Sequence, residues 1–308
     1  MERLVVMALI GLVAQLIDGA LGMAYGVISS SLLLASGVAP AVASASVHMA
    51  EVVTTVVAGL SHWRFGNTSR RLVVGLGLPG AVGALAGAAF LSSLPGETIK
   101  PFVSAFLFFL GVYLLFRFTW RRERRPAQRT MRPLAVTSLG LVAGFLDATG
   151  GGGWGPITTS TLMARQADHP HKVVGSVDAS EAAVALAATA GFLLTLGWEG
   201  VRLDWVAAFI AGGVVAAPLA AWLVRRLPSD LLGVLVAGVI LLTNARTLLQ
   251  SVGASGAVTF AAYLVIVGAW GVALGLALAQ SARFREALAA EGDPLHPGEP
   301  GLRRAETP

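Results

Sequence analysis

Residues 145–156 read Phe-Leu-Asp-Ala-Thr-Gly-Gly-Gly-Gly-Trp-Gly-Pro, an aspartate followed by a glycine run inside apolar sequence. A related stretch in the first half, residues 16–26, reads Leu-Ile-Asp-Gly-Ala-Leu-Gly-Met-Ala-Tyr-Gly. Each glycine inside a helix costs about 1 kcal/mol relative to alanine, so we expect both stretches to interrupt a helix. Interrupted helices at corresponding positions of two halves are typical of a transporter's binding site.

The composition is that of a membrane protein. Of the 308 residues, 55% are apolar and only 13% are charged, whereas a soluble domain carries about 25% charged residues. The apolar segments are much longer than the roughly 10 residues of a membrane β-strand, which excludes a β-barrel. We therefore predict an all-α protein that crosses the membrane several times. The chain contains no cysteine, which excludes disulfides and thiolate metal sites, and no cofactor is expected.

The apolar segments predict two helical hairpins and seven full spans. The pieces 3–17 and 20–36 flank the first interruption, and the pieces 134–148 and 154–165 flank the second. Each piece is shorter than the about 20 residues that one crossing requires, so we expect each pair to form a re-entrant hairpin. Full spans are predicted at residues 41–63, 72–92, 99–119, 172–197, 204–224, 230–250 and 257–279.

The two halves are repeats of each other. Residues 11–14 and 140–143 share the sequence Gly-Leu-Val-Ala, and the two aspartates follow at the same distance. Further matches at nearly constant offset pair Gly22 with Gly151, Gly26 with Gly155, Ser31 with Ser160, Ser46 with Ser176, Glu51 with Glu181, and His48 with Asp178. Repeats of this kind are common in transporters.

These patterns divide the chain into five parts. They are a first membrane repeat (1–119), a basic cytoplasmic linker (120–132), a second membrane repeat (133–250), an extra transmembrane helix (251–280) and a cytoplasmic tail (281–308). We expect the tail to be disordered because it is polar and rich in proline and glycine.

Arginine-rich loops predict the orientation. The loop after residue 63 and the linker 120–132 are basic, so both are expected in the cytoplasm. This assignment requires three full spans in each repeat, which inverts the second repeat relative to the first. The N-terminus is then outside and the C-terminus cytoplasmic, and the two hairpins enter from opposite sides so that their glycine-rich tips meet near the midplane.

Six ionisable residues fall at predicted membrane depth, where a charge costs from about 3 kcal/mol upward and usually serves function. They are Asp18, His48, Glu51, Asp147, Asp178 and Glu181. A three-residue spacing places His48 and Glu51 on one helix face, and likewise Asp178 and Glu181. The alternative is structural, with the two aspartates as helix N-caps and the histidine as a core residue.

The interruptions also suit an anion, because the N-terminus of a half-helix presents N–H donors and a positive dipole end. Hydroxyl groups follow both tips, although each could instead bond to its own helix. No lysine or arginine lies deep in the predicted core. The nearest candidate is Arg246, beside Asn244, toward the outer end of its span, where its side chain is expected to extend to the membrane surface. The predicted substrate-binding residues are Asp18, Gly19, Gly22, Ser30, Ser31, His48, Glu51, Asp147, Gly150, Gly151, Gly152, Gly153, Thr158, Thr159, Ser176, Asp178 and Glu181.

The duplicated pattern resembles the sulfite exporter TauE/SafE family, also called the 4-toluene sulfonate uptake permease family. The resemblance extends over about residues 5–280. It depends on the segments 11–18 and 140–147 with their following glycines, on the Ser-to-Glu motifs at 46–51 and 176–181, and on Pro79-Gly80. It implies a plasma-membrane transporter, often an exporter, of sulfite or small organosulfonates. The acid at Asp178, opposite His48, departs from the family's pattern.

We therefore predict a secondary transporter, and not an enzyme, that moves a small sulfur-containing or organic anion with protons as coupling ion. An anion channel and a cation/proton exchanger remain alternatives on the same scaffold. Two aspartates could also suggest an intramembrane protease, but no matching motif is present. Expected partners are the anion, protons and membrane lipid, without nucleic acid. The sequence leaves the oligomeric state open between monomer and homodimer.

Overall fold

The computed structural model describes residues 2–21, 23–120, 131–165, 168–198, 201, 203–223 and 229–290, and no strand occurs within these ranges. The helices are α1 (Glu2–Leu21), α2 (Tyr25–Ala35), α3 (Pro40–Arg64), α4 (Arg70–Ser92), α5 (Gly96–Trp120), α6 (Pro133–Gly150), α7 (Trp154–Ala164), α8 (Pro170–Leu196), α9 (Leu203–Leu223), α10 (Ser229–Ser251) and α11 (Gly256–Ala290). The all-α prediction is confirmed.

Among the described residues, seven helices are long and apolar enough to cross a membrane. They are α3, α4, α5, α6, α8, α10 and α11. The predicted span 204–224 corresponds to α9. Its apolar part among the described residues, Leu203–Ala216, is shorter than a full span. Conversely, α6 reaches 18 residues, so the first piece of the second hairpin is longer than predicted.

Both interruptions are shorter than predicted. Helix α1 continues through Asp18 and Gly19 to Leu21, and α2 begins at Tyr25. Helix α6 continues through Asp147 to Gly150, and α7 begins at Trp154. One glycine near a helix end costs only about 1 kcal/mol, which packing readily offsets. Gly22 lies outside the described residues.

Helices of one half pack on helices of the other. The strongest pairings are α4 with α6 and α8, α1 with α9, α3 with α8, and α5 with α10. Glycine makes two of these crossings close, because a β-carbon at Gly83 or Gly11 would contact the backbone of α6 or α9. Helices α4 and α9 have equivalent positions in the two repeats, and so do α6 and α1. The α4–α6 and α9–α1 pairings are therefore equivalent to each other. The inversion of the halves stays a prediction.

The C-terminal prediction needs a correction. Helix α11 continues to Ala290, so residues 281–290 are helical instead of disordered. Alanine, leucine, arginine and glutamate dominate this segment and favour helix, whereas the glycine and proline on which the prediction depended follow it. The rest of the predicted tail lies outside the described residues, as do residues 121–130 of the linker.

Candidate functional site

Asp147 joins three elements at the second interruption. Its Oδ1 accepts a hydrogen bond from the backbone N–H of Trp154 at 2.8 Å, so the carboxyl caps the N-terminus of α7. Its Oδ2 lies 3.0 Å from Nε2 of His48 on α3. The side chains of Asp147 and His48 are buried. One carboxyl group therefore contacts both the half-helix and a histidine of the other repeat.

Asp18 has the equivalent position at the first interruption. Its Oδ1 accepts a hydrogen bond from the N–H of Tyr25 at 3.1 Å, across the same seven-residue separation as in the second hairpin. Each aspartate thus caps the half-helix that follows it, which is favourable because a carboxylate complements the positive end of a helix. The two aspartates therefore act as helix caps, as the structural alternative predicts.

The two interruptions contact each other directly. The hydroxyl of Ser30 on α2 donates a hydrogen bond to the carbonyl oxygen of Gly151. A β-carbon added at Gly26 would lie 2.8 Å from Cα of Gly152. The backbone of the second interruption takes positive φ angles of 70°, 154° and 149° at Gly151, Gly152 and Gly153. Glycine is required at Gly152, both for its φ and for the close approach to Gly26, whereas the left-handed φ of Gly151 costs another residue about 1–2 kcal/mol.

The hydrogen bonds of His48 place a proton inside the site. Nδ1 lies 2.8 Å from the carbonyl oxygen of Ser44, which only accepts, so Nδ1 carries a hydrogen. Nε2 faces the carboxyl oxygen of Asp147 at 3.0 Å, and a hydrogen must lie between these two atoms as well. The pair therefore holds one proton more than a neutral imidazole with a carboxylate. The hydroxyl of Ser44 donates to the carbonyl of Ala148 at 2.6 Å and fixes α3 against α6.

Three further carboxyl groups complete an acidic centre. Glu51 is buried on α3, and its Oε1 would lie 3.0 Å from a β-carbon at Gly26. Glu181 on α8 interacts electrostatically with Glu51, Asp147, Asp18 and Asp178. Asp178 also forms an ion pair with His62, with Oδ2 and Nε2 3.1 Å apart. The structure therefore brings together all six ionisable residues that the sequence indicated.

Apart from Ser30, which bonds to Gly151, the predicted hydroxyl groups divide into three sets. Those of Ser31 and Thr158 bond back to their own helices at 2.6 Å and 2.5 Å. The hydroxyl of Thr159 is buried and has no hydrogen-bond partner among the described residues. Ser176 accepts the N–H of Ser69 at 2.8 Å and thus lies against the start of α4 instead of the acidic centre.

Two helices supply polar groups that the sequence analysis did not select. Asn244 on α10 is buried and donates to the hydroxyl of Ser31 at 2.8 Å. Arg117 on α5 donates to the hydroxyl of Ser160. Because Ser31 and Ser160 are repeat partners, both half-helices are held in the same way by a span of the opposite half. A comparison of polar residues near the ends of equivalent spans could have indicated both residues.

Comparison with known proteins agrees with this architecture. The family model described as "Sulfite exporter TauE/SafE" matches residues 7–247. A protein of Bacillus subtilis (strain 168), described as "Probable membrane transporter protein YtnM", is 55% identical over 274 residues, which cover 88% of this chain and 91% of the relative. No solved structure matches the chain.

Proposed function

Because the chain belongs to the sulfite exporter TauE/SafE family and is a multi-pass membrane transporter, we propose that it is a proton-coupled secondary transporter of a small anion. The proposed substrate class is sulfite or a small organosulfonate, and the proposed direction is export. The site is the acidic centre with the two contacting interruptions. We place the protein in the plasma membrane with the N-terminus outside and the C-terminus in the cytoplasm.

Asp147 carries this proposal because its two carboxyl oxygens have different partners. One oxygen accepts the N–H at the start of α7, and the other faces the proton shared with His48. The N-terminus of a half-helix is a favourable place for an anion, and here the carboxyl group of the chain itself occupies it. A substrate anion and the carboxylate therefore compete for the same N–H donors.

Competition of this kind couples protons to the anion. When the shared proton moves onto Asp147, its carboxyl loses negative charge and binds the N–H of Trp154 less strongly, since hydrogen bonds to charged groups are the stronger ones. The half-helix then accepts the anion. His48, now neutral, takes up a second proton from water. When the anion leaves, the protonated Asp147 releases its proton to water and the carboxylate returns to its cap, so each cycle takes up and releases one proton with the anion. Asp18 caps Tyr25 in the same way, but both histidines that form ion pairs among the described residues face other aspartates, so Asp18 would take its proton from water.

The mutual repulsion of the acidic residues supports the same coupling. Glu51 and Glu181 interact electrostatically with each other and with both capping aspartates. An anion could not approach this centre if all of these groups were ionised. Binding therefore requires protons, and their release accompanies release of the anion.

A cation/proton exchanger is the second candidate, favoured by one specific observation. The centre contains the carboxyl groups of Asp18, Glu51, Asp147, Asp178 and Glu181, which attract a cation when ionised, although no three of the described acidic and histidine side chains are arranged to hold one metal ion. Proton flux from liposomes driven by sodium or potassium gradients, without any anion substrate, would support this candidate and contradict the anion proposal.

Accumulation of radiolabelled sulfite in proteoliposomes under an imposed proton gradient tests the proposal. The wild-type protein should concentrate sulfite against its gradient, which a simple channel cannot do. Asp147→Asn and Glu181→Gln should each lose the proton-dependent component by at least about tenfold, since general acid–base groups contribute on that scale or more. Glu97→Gln is the matched control, because Glu97 is an exposed acid at the start of α5. Undiminished proton-dependent accumulation in both variants would contradict the proposal.

A further inference from the structure

A cleft separates helix α5 from the half-helix α7, outside the acidic centre. Its volume is about 400 Å³, enough for a small anion and several waters. The lining residues are Leu110, Tyr113, Pro156, Ile157, Ser160, Thr161 and Arg165. The cleft lies toward the end of α5 that precedes the basic linker, which is the predicted cytoplasmic side.

Arg117 supplies a positive charge to this cleft. One guanidinium nitrogen donates to the hydroxyl of Ser160, which lines the cleft, and another lies 3.7 Å from the sulfur of Met163. Among the residues that the structure describes, no carboxylate forms a salt bridge with Arg117. The guanidinium carbon also lies 5.7 Å from the ring centroid of Phe118. None of these contacts supplies a negative charge, so a bidentate oxyanion would be a stronger partner for this half-buried guanidinium.

The polar groups around Arg117 are hydrogen-bond donors. Tyr113 precedes it by four residues, so both lie on the same face of α5. The phenol oxygen of Tyr113 is buried and has no partner among the described residues. The hydroxyl of Ser160 accepts from Arg117, which leaves its own hydrogen free to donate into the cleft. Thr161 and Arg165 add further donors.

A second cleft has similar lining residues, but its arginine is exposed. It lies between the end of α10 and the start of α11, and Arg246, Thr259 and Tyr263 are among its lining residues. Although the residue types are similar, Arg246 is exposed, so water satisfies its charge. Arg117 differs because it is half-buried and directed onto α7 by Ser160.

We propose that the cleft between α5 and α7 binds an oxyanion of the sulfonate, sulfate or phosphate type through Arg117, with Tyr113, Ser160 and Thr161 as donors. Ser160 follows Trp154 by six residues, so the cleft lies about 9 Å along α7 from the interruption. A free anion bound there would be held between the membrane surface and the acidic centre. In that role the cleft is a loading site, which rests on the proposed function. An anionic lipid headgroup presents the same chemistry.

Protection of a single cysteine measures binding at the cleft itself. The natural chain has no cysteine, so Ile157→Cys, at an apolar lining position, provides one reporter in the full-length protein. The rate of its maleimide labelling is measured in nanodiscs of phosphatidylcholine with increasing methanesulfonate or sulfate. A second arm contains phosphatidylglycerol and no added anion. Both probes are unreactive toward thiols and maleimides.

The expected result is anion-dependent protection that Arg117→Gln weakens by at least about tenfold, the scale of one charged hydrogen bond. Arg117→Lys keeps the positive charge but loses the planar, two-pronged donor geometry of the guanidinium, so it should give intermediate protection. This variant also provides a test if Arg117→Gln does not fold. Arg246→Gln should leave protection unchanged. Protection by phosphatidylglycerol alone, lost in Arg117→Gln, identifies a lipid headgroup as the bound oxyanion.

Equal labelling of the reporter with and without both anion sources would overturn the proposal. So would protection that persists unchanged in Arg117→Gln. This outcome is separate from failure of the transport proposal, because labelling of Ile157→Cys does not require coupling through Asp147. A transporter that retains proton-dependent transport in Asp147→Asn could still show protection that depends on Arg117.

Discussion

Replacement of Gly26 by alanine tests whether the two interruptions touch. A contact predicts that the variant is less stable than the wild-type protein, and its absence predicts that the variant is more stable. Gly26 lies in the first turn of α2 and does not have a positive φ, so alanine fits its backbone. A β-carbon would nevertheless lie 2.8 Å from Cα of Gly152 and 3.0 Å from Oε1 of Glu51. Both distances are well below the about 3.5–4.0 Å of an ordinary carbon contact.

Two opposing terms set the expected magnitude. Alanine in place of glycine stabilises a helix by up to about 1 kcal/mol. Overpacking of a close contact costs about 1–3 kcal/mol, and here the nearest atom belongs to backbone that cannot rotate away. The net effect is a loss of up to about 2 kcal/mol. If the two interruptions did not touch, the gain would remain together with only the contact to the carboxylate of Glu51, which is the end of a flexible side chain.

Thermal unfolding of the purified protein in detergent gives the sign. Gly26→Ala should lower the unfolding midpoint relative to wild type. Gly271→Ala is the matched control, because no atom lies within 4 Å of a β-carbon at this position of α11. That variant should raise the midpoint or leave it unchanged. An increase for Gly26→Ala equal to that of the control would refute the proposed contact.

Two further predictions use the same unfolding assay. Asn244→Ala removes the buried donor to Ser31 and should destabilise by about 1–3 kcal/mol, whereas Thr243→Ala, whose hydroxyl bonds only within its own helix, should change stability by no more than about 0.5 kcal/mol. Trp154→Phe removes the indole donor to the carbonyl of Val177 at 3.2 Å and should destabilise by about 1–2 kcal/mol. An unchanged midpoint in Asn244→Ala or Trp154→Phe would contradict the role assigned to that hydrogen bond.

Hydropathy was sufficient to locate most of the fold. The predicted spans 41–63 and 99–119 correspond to Pro40–Arg64 and Gly96–Trp120, because long apolar segments with charged ends permit little choice of boundary. The interruptions were less accurate. Glycine composition suggested that helix ends at Asp18, whereas the carboxyl group caps α2 from within the last turn of α1.

The acidic centre was predictable because charge at membrane depth is costly and therefore informative. The sequence did not predict which of these residues pair with one another. The repeat places His48 opposite Asp178, yet His48 pairs with Asp147 and Asp178 pairs with His62. These pairings depend on how α3 packs against α6 and α8, which a sequence pattern does not specify. For the same reason the sequence did not indicate Arg117, which lies three residues before the end of α5.

A disulfide between the two interruptions is the most direct test of the central claim, which is that they meet and form one site. A β-carbon at Gly151 would lie 2.9 Å from Cβ of Ser30, about 0.6 Å closer than the shortest Cβ–Cβ separation of a disulfide. Ser30→Cys with Gly151→Cys therefore requires the two segments to move slightly apart and the new cysteine to accept a φ of 70°. Mass spectrometry after oxidation should detect this crosslink in the otherwise cysteine-free chain. The control pair, Ser31→Cys with Gly151→Cys, should remain reduced because Ser31 faces Asn244. Absence of the crosslink in a folded double variant, or equal crosslinking of the control, would contradict the account.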